Sequence, residues 1–196
     1  MSALPRLAME MGVMGPFPVV VADPPWLFQS NSDENPGKNA RGHYECQPTE
    51  DIAAMPIGKL CGPDTSLFLW TTSPMLPDGL HVLQSWGCTY KSQMVWNKTG
   101  AFGTGYWNRN VHELVLVGRR GRGLLPANRT TLRSVFDAPV REHSRKPEIF
   151  SQIIEEGYPG IQKLDLFARQ SRGPLWSPWG DQIALFDIDA DIPVAA

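Results

Sequence analysis

Asp23-Pro24-Pro25-Trp26 puts a carboxylate, proline-fixed carbonyls and a flat aromatic ring within four residues. The tetrapeptide follows an apolar run, Phe17-Pro18-Val19-Val20-Val21-Ala22, that reads as a buried strand stopping at a rigid loop. Two prolines fix φ and donate no N–H, so the carbonyls are expected to be held outward as acceptors. In open α/β sheets, ligands sit at the carboxyl ends of strands. These groups suit a planar exocyclic amine on a nucleobase. If Asp23 and the Pro24 carbonyl accept hydrogen bonds from its two N–H groups, the nitrogen is drawn toward sp³ and its lone pair is freed to attack. Trp26 offers a ring to stack on the base. Read in isolation, the same four residues also fit a proline-stiffened turn with a surface acid.

A second stretch with chemical potential is the Gly-rich loop Asn97 to Trp107, with Phe102, Tyr106 and Trp107 interleaved. It is not a phosphate-binding loop, because no Gly-Lys-Ser/Thr ends it and no helix follows. It suits an unstacked base or a bent strand of nucleic acid, and it equally suits a plain long hairpin. His43, His81, His112 and His143 show no metal-ligand spacing, and no metal site is expected. Cys46, Cys61 and Cys88 are odd in number and form no C-x-x-C pair, which fits a reducing compartment and excludes a disulfide framework or structural zinc.

Charge is unevenly spread. The net charge is −2, yet Lys91 to Arg172 holds 14 Lys/Arg against 7 Asp/Glu, and Arg119 to Lys146 alone holds eight basic residues against two acidic ones. A like-signed region on a near-neutral protein is the footprint of a polyanion partner, with a solvated arginine-rich loop as the plain alternative. No stretch approaches the roughly 20 apolar residues of a membrane span. Met1 to Gly15 has one Arg and no signal-peptide pattern, so a cytoplasmic protein is expected.

The elements that must position these residues follow from pattern. Strands are expected over about 17–22, 66–70, 89–96, 112–118 and 163–167, and Ile183 to Phe186 is a further apolar run. Thr49-Glu50-Asp51 opens a short helix. Leu76 to Trp86 is helical, with Leu76, Leu80, Leu83 and Trp86 on one face, and Pro147 to Glu156 is helical, with Ile149, Phe150, Ile153 and Ile154 buried. Gln29 to Cys46 is a long polar loop of the kind used as a lid, and Trp176 to Gln182 reads as a last loop. Strands alternating with helices give an α/β doubly wound sheet. One domain is expected over 17–186, with a lead-in at 1–16, a nucleic-acid-binding insertion at 97–133 and an acidic tail at 187–196.

In order along the chain come Asp23-Pro24-Pro25-Trp26, His43-Tyr44, Leu67-Phe68-Leu69-Trp70, Trp96-Asn97-Lys98-Thr99, His112-Glu113-Leu114, Ser144-Arg145-Lys146-Pro147, Leu164-Asp165-Leu166-Phe167-Ala168-Arg169 and Trp179-Gly180-Asp181-Gln182. With these motifs, residues 17 to 186 resemble the mRNA adenosine-methyltransferase (MT-A, seventy-kilodalton subunit) family, in its bacterial or phage type. The resemblance implies a Rossmann-like methyltransferase fold, permuted so that the acceptor motif comes first and the cofactor strand last. It implies S-adenosylmethionine as cofactor and the exocyclic amine of adenine as acceptor. Catalysis would fall to Asp23, Pro24, Pro25 and Trp26. The cofactor would be held by Lys146, Phe167, Arg169, Ser171, Asp181 and Gln182, and the substrate by Tyr44, Lys98, Trp107 and Glu113. The partner would be nucleic acid, DNA ahead of RNA, with a homodimer among the assembly states left open. Two positions depart from the pattern: Ser171-Arg172 replaces a His-Asn pair, and Asp181 replaces Asn. The rivals are RNA as substrate, methylation of cytosine's amine, and a catalytically silent, nucleic-acid-binding member.

Overall fold

Val19-Val20-Val21 are β-branched and wholly or nearly buried, so the first strand lies inside the sheet rather than on its edge. In the computed structural model, which describes residues 15–27, 46–103, 107–141, 145–180 and 183, that strand is β1 (Phe17–Ala22). The chain continues through α1 (Thr49–Ala53), a 3₁₀ turn (Ile57–Lys59), β2 (Cys61–Thr71), α2 (Leu76–Ser85), β3 (Thr89–Thr99), β4 (His112–Arg120), β5 (Val135–Pro139), α3 (Glu148–Gly157), β6 (Lys163–Leu166) and β7 (Trp176–Trp179). The strands form one sheet in the order β5-β3-β4-β2-β1-β6-β7. β1 pairs in parallel with β2 and β6, β6 with β7, and β3 with β5. β4 alone runs against its neighbours β2 and β3.

Strand alternation sorts the core onto two faces. Val20, Ala22, Leu67, Leu69, Leu164 and Leu166 pack with Ile52, Val82, Leu83 and Trp86 on the side of α1 and α2. Val19, Val21, Phe68, Trp70 and Trp96 pack with Phe150 and Ile154 of α3 on the other. The second face is aromatic: Trp70 meets Phe150 edge-on at 4.8 Å between ring centroids, and Trp96 at 6.1 Å.

The α/β sheet is as the sequence pattern implies, with corrections in detail. The β3–β4 connection is the long hairpin that the sequence left open. In α2 the buried stripe is Gly79, Val82 and Leu83, while Leu80 is exposed, because Gly79 lets the helix lie against Leu116 and Thr71. In α3, Phe150, Ser151, Ile154 and Gly157 are buried and Ile149 is exposed. Two strands go beyond the sequence pattern: β5, whose residues it leaves unassigned, and β7, which it reads as a last loop. Both are edge strands that carry a proline, Pro139 and Pro178, whose missing N–H is tolerated on an edge. Nor is 97–133 an insertion, since β4 lies inside it and pairs on both sides in the sheet. The tail and most of the apolar run after Gln182 lie outside the described residues. Among the described residues no helix is long and apolar enough to cross a membrane.

Candidate active site

Strand direction decides what can meet. β1, β2, β3, β5, β6 and β7 all end at one edge of the sheet, and β4, running the other way, begins there. Asp23, Lys98, Glu113 and Phe167 therefore converge at the carboxyl edge, and the chain returns there from β5 to start α3 just after Lys146. Asp23 follows directly from β1, its N–H bonded to the Leu166 carbonyl at 3.3 Å.

The tetrapeptide is anchored more tightly than its composition suggests. The Pro24 carbonyl accepts from the Trp26 N–H at 2.9 Å and the Pro25 carbonyl from the Gln47 N–H at 2.8 Å. A carbonyl has two lone pairs, so Pro24 keeps one acceptor site. Trp26 does not present an open ring: it is 9% exposed, packs in the core, and donates its indole N–H to the Trp70 carbonyl at 3.0 Å. A buried indole must place its N–H on a partner, and here that need makes Trp26 the bolt between the loop and β2.

Four charges form a chain across the edge. Lys98 Nζ lies 2.6 Å from Glu113 Oε1. Lys146 Nζ lies 3.5 Å from Glu113 Oε2 and 2.9 Å from Asp23 Oδ1. All four side chains are 14–21% exposed, so these pairs are shielded from solvent and strong. Burial alone would push the Lys146 ammonium toward deprotonation, but Asp23 and Glu113 outweigh it and hold its pKa above the ordinary lysine value. Burial alone would raise Glu113, but Lys146 and Lys98 outweigh it and hold the carboxyl below the ordinary glutamate value. The Trp70 ring lies 5.3 Å from the Lys146 ammonium and contributes a cation–π contact. Lys146, which the resemblance gives to the cofactor, thus has its ammonium among the acceptor-site carboxylates.

A second cluster lies alongside on the same face. Asp165 faces Val21 in the register of β6 on β1 and is 5% exposed. Burial pushes its pKa up, a rise partly offset by Arg172, whose Nε is 2.9 Å from Oδ2. Arg172 Nη1 also reaches Glu148 Oε2 at 3.0 Å and Ser151 Oγ at 3.1 Å. Gln170 Nε2 donates to both Glu148 oxygens, at 2.8 and 2.9 Å. Arg172 is therefore a bridge between two carboxylates, which explains its presence where the family pattern has a neutral residue. Between the two clusters lies a cleft of about 510 Å³, solvent at its mouth included, lined by Asp23, Lys146, Phe167, Arg169, Gln170 and Arg172 among others.

The chain after β6 turns sharply. Phe167 has φ 63°, a left-handed conformation that costs a bulky residue about 1–2 kcal/mol. The turn is held by Ala168 N–H on the Trp179 carbonyl at 2.9 Å, and a Cβ on Gly180 would come within 2.6 Å of the Ala168 carbonyl oxygen. Only glycine allows β7 to press against this loop. The result is a backbone cradle with Lys146 and Arg169 nearby, Arg169 near enough to oppose the Lys146 charge. Arg169, a cation beside the aromatic wall of Phe167, fits the carboxylate of S-adenosylmethionine.

Of the remaining predicted residues, Ser171 is exposed on the loop after Arg169, and Trp107 is fully exposed on the β3–β4 connection. Tyr44, Asp181 and Gln182 lie outside the described residues. Sequence reasoning missed Glu148, Asp165 and Gln170 as site residues. The available signal was Asp165 itself, an acid at an inward position of the strand Lys163-Leu164-Asp165-Leu166, which must find a buried partner.

The family model described as MT-A70 matches residues 17–182. The type II methyltransferase M.MunI of Mycoplasma sp is 27% identical over 183 residues, covering 85% of this chain and 78% of that protein. The N(6)-adenosine-methyltransferase MT-A70-like protein of Drosophila melanogaster is 32% identical, covering 89% of this chain and 28% of that protein. The N(6)-adenosine-methyltransferase catalytic subunit METTL3 of Homo sapiens is 30% identical over 195 residues, covering 94% of this chain and 31% of that protein.

Proposed function

The chain belongs to the MT-A70 family of methyltransferases, and on that premise we propose that it transfers a methyl group from S-adenosylmethionine to the exocyclic amine of adenine in nucleic acid, DNA ahead of RNA. The observation that carries this reading is Asp23 at the carboxyl end of β1, its carboxylate beside the cleft that Lys146, Phe167 and Arg169 also line. Bound in the Phe167–Arg169 cradle, the cofactor would supply a methyl group already activated by its sulfonium, so no acid is required.

The residues then have three tasks. Asp23 and the second lone pair of the Pro24 carbonyl accept hydrogen bonds from the two amine N–H groups and aim the nitrogen's lone pair, an alignment that removes several kcal/mol of barrier. Positive charge would develop on the nitrogen as it took up the methyl group, and the Asp23 carboxylate would face it. The methylated nitrogen is acidic and gives up its proton readily, so Asp23 need not be a strong base. Lys146, held on Asp23 Oδ1 at 2.9 Å and on Glu113, keeps the carboxylate oriented and its charge balanced before substrate arrives.

A base in a duplex must leave the stack to reach Asp23, at a cost of a few kcal/mol that single strands avoid. Trp107, fully exposed on the β3–β4 connection, and Phe102, 80% exposed under the Arg109 guanidinium at 4.3 Å, offer stacking surfaces along the carboxyl edge. The preference for DNA leans on the likeness to a type II methyltransferase. The intact Asp23-Pro24-Pro25-Trp26 favours an enzyme over a silent scaffold. A bacterial or phage-infected cytoplasm is the setting this reading implies.

The test is incubation with methyl-labelled S-adenosylmethionine and matched single-stranded DNA, duplex DNA and RNA, followed by digestion to nucleosides. Label in N6-methyl-2′-deoxyadenosine is the expected result. Label confined to the ribonucleoside would move the substrate to RNA, label in cytidine would change the base, and no label from folded protein would contradict the reading.

A further inference from the structure

The first turn of α3 serves both clusters. Lys146, just before the helix, reaches Asp23 at 2.9 Å, and Glu148, its first residue, receives Gln170 at 2.8 and 2.9 Å and Arg172 at 3.0 Å. Gln170 and Arg172 flank Ser171 and follow Arg169 on the loop after β6. Glu148 is thus where that loop is fastened to the helix. Its side chain is 20% exposed and Gln170 is 6% exposed, so the fastening is largely shielded from water. Nη1 of the same guanidinium touches Glu148 and Ser151 while Nε touches Asp165. A planar guanidinium places two separate nitrogens on these three partners, a geometry that a lysine's single ammonium does not reproduce.

We propose that Glu148 is a positioning residue for the cofactor. Through Gln170 and Arg172 it fixes the loop that presents Arg169 and Ser171, and it does so from the same helix turn that brings Lys146 to Asp23. The inference rests on the reading of this loop as the cofactor cradle. Without Glu148 the loop must be ordered by the cofactor itself, and the loss falls on cofactor affinity more than on the transfer step, where Asp23 acts.

The experiment measures S-adenosylmethionine binding by titration calorimetry, and KM and kcat for methyl transfer, in wild type, Glu148→Gln, Arg172→Lys and Gln170→Met, with thermal melts of each. Glu148→Gln and Arg172→Lys are expected to weaken cofactor binding about tenfold, the scale of one lost charge-assisted hydrogen bond, with a much smaller fall in kcat and an unchanged KM for the nucleic acid. Gln170→Met, which removes one neutral donor, is expected to weaken it less and keeps the test open if a charge variant does not fold. Glu156→Gln, exposed near the other end of α3, serves as the control. Wild-type affinity in Glu148→Gln and Gln170→Met would overturn the inference, as would equal losses in kcat and cofactor affinity tracking a lowered melting midpoint, the mark of a plain structural residue. Wild-type protein that does not bind S-adenosylmethionine at all would instead contradict the proposed function.

Discussion

Arg122 and Lys146 belong to one basic stretch of sequence and end at opposite edges of the sheet. β4 carries the chain from Glu113 at the carboxyl edge to Arg119 and Arg120 at the other, and β5 brings it back. At the far edge Arg119, Arg122, Arg129 and Arg133 are exposed. The Arg122 side chain is 91% exposed, and its partner Asp64, 3.3 Å away, makes an ion pair of the kind worth little in water. At the carboxyl edge the Lys146 side chain is 14% exposed and is shared by two carboxylates. The far-edge cations are solvated, while those of the carboxyl edge are fixed in a network beside a cleft. A run of like charge in sequence is therefore not one surface, and the segment that looked like a polyanion footprint is split by a strand.

If the contrast is right, damage at the carboxyl edge is costly and damage at the far edge is not. The largest effect is expected from Asp23→Ala. Methyl transfer in a labelled-methyl assay falls by about 10²–10³-fold, the range seen when one group stabilising developing charge is removed, while cofactor binding by calorimetry stays near wild type. Lys146→Met comes next. It leaves Asp23 without its ammonium partner and Glu113 with Lys98 alone, and kcat/KM falls about ten- to a hundredfold, matching the 1.5–3 kcal/mol of a hydrogen bond to a charged group. A change under about twofold would reduce Lys146 to a structural ion-pair partner of Asp23 and Glu113.

The pH dependence of stability gives a smaller, signed effect. Lys146 and Lys98 hold Glu113 below its ordinary value, so the folded state keeps it ionised where the unfolded chain takes up a proton. Its contribution is present above about pH 4.3, the ordinary glutamate value, and is lost as pH falls through the lower folded value. Melting midpoints of Glu113→Gln are expected to fall less steeply than wild type as pH drops through that window. Parallel curves would show that the network does not act through Glu113. Least of all should change when Arg119, Arg122, Arg129 and Arg133 are replaced together by alanine. Turnover and KM for nucleic acid stay within about twofold, and a steep loss would move phosphate binding to the far edge.

Much of this was legible in the sequence because it rested on local chemistry. The β-branched run into Asp-Pro-Pro placed Asp23 at a strand end, and Lys163-Leu164-Asp165-Leu166-Phe167 gave the strand beneath the cradle. What was not legible depended on partners distant in sequence. Trp26 reads as a stacking ring until its N–H is found on Trp70, 44 residues away. Arg172 reads as a departure from the family pattern until Asp165 and Glu148, 24 residues away, are seen to share it. Pro178 and Pro139 argue against strands, and only the sheet order shows that edge positions remove the penalty. Gly180 carries no mark of its own that an added Cβ would come within 2.6 Å of the Ala168 carbonyl oxygen.

The contrast between edges is tested most directly by hydrogen–deuterium exchange with S-adenosylhomocysteine and a DNA oligonucleotide added singly and together. The cofactor product is expected to slow exchange at 145–151 and 167–172, the oligonucleotide at 23–27 and 98–113, and neither at 119–133. Protection concentrated at 119–133, with the carboxyl edge unchanged, would contradict the account.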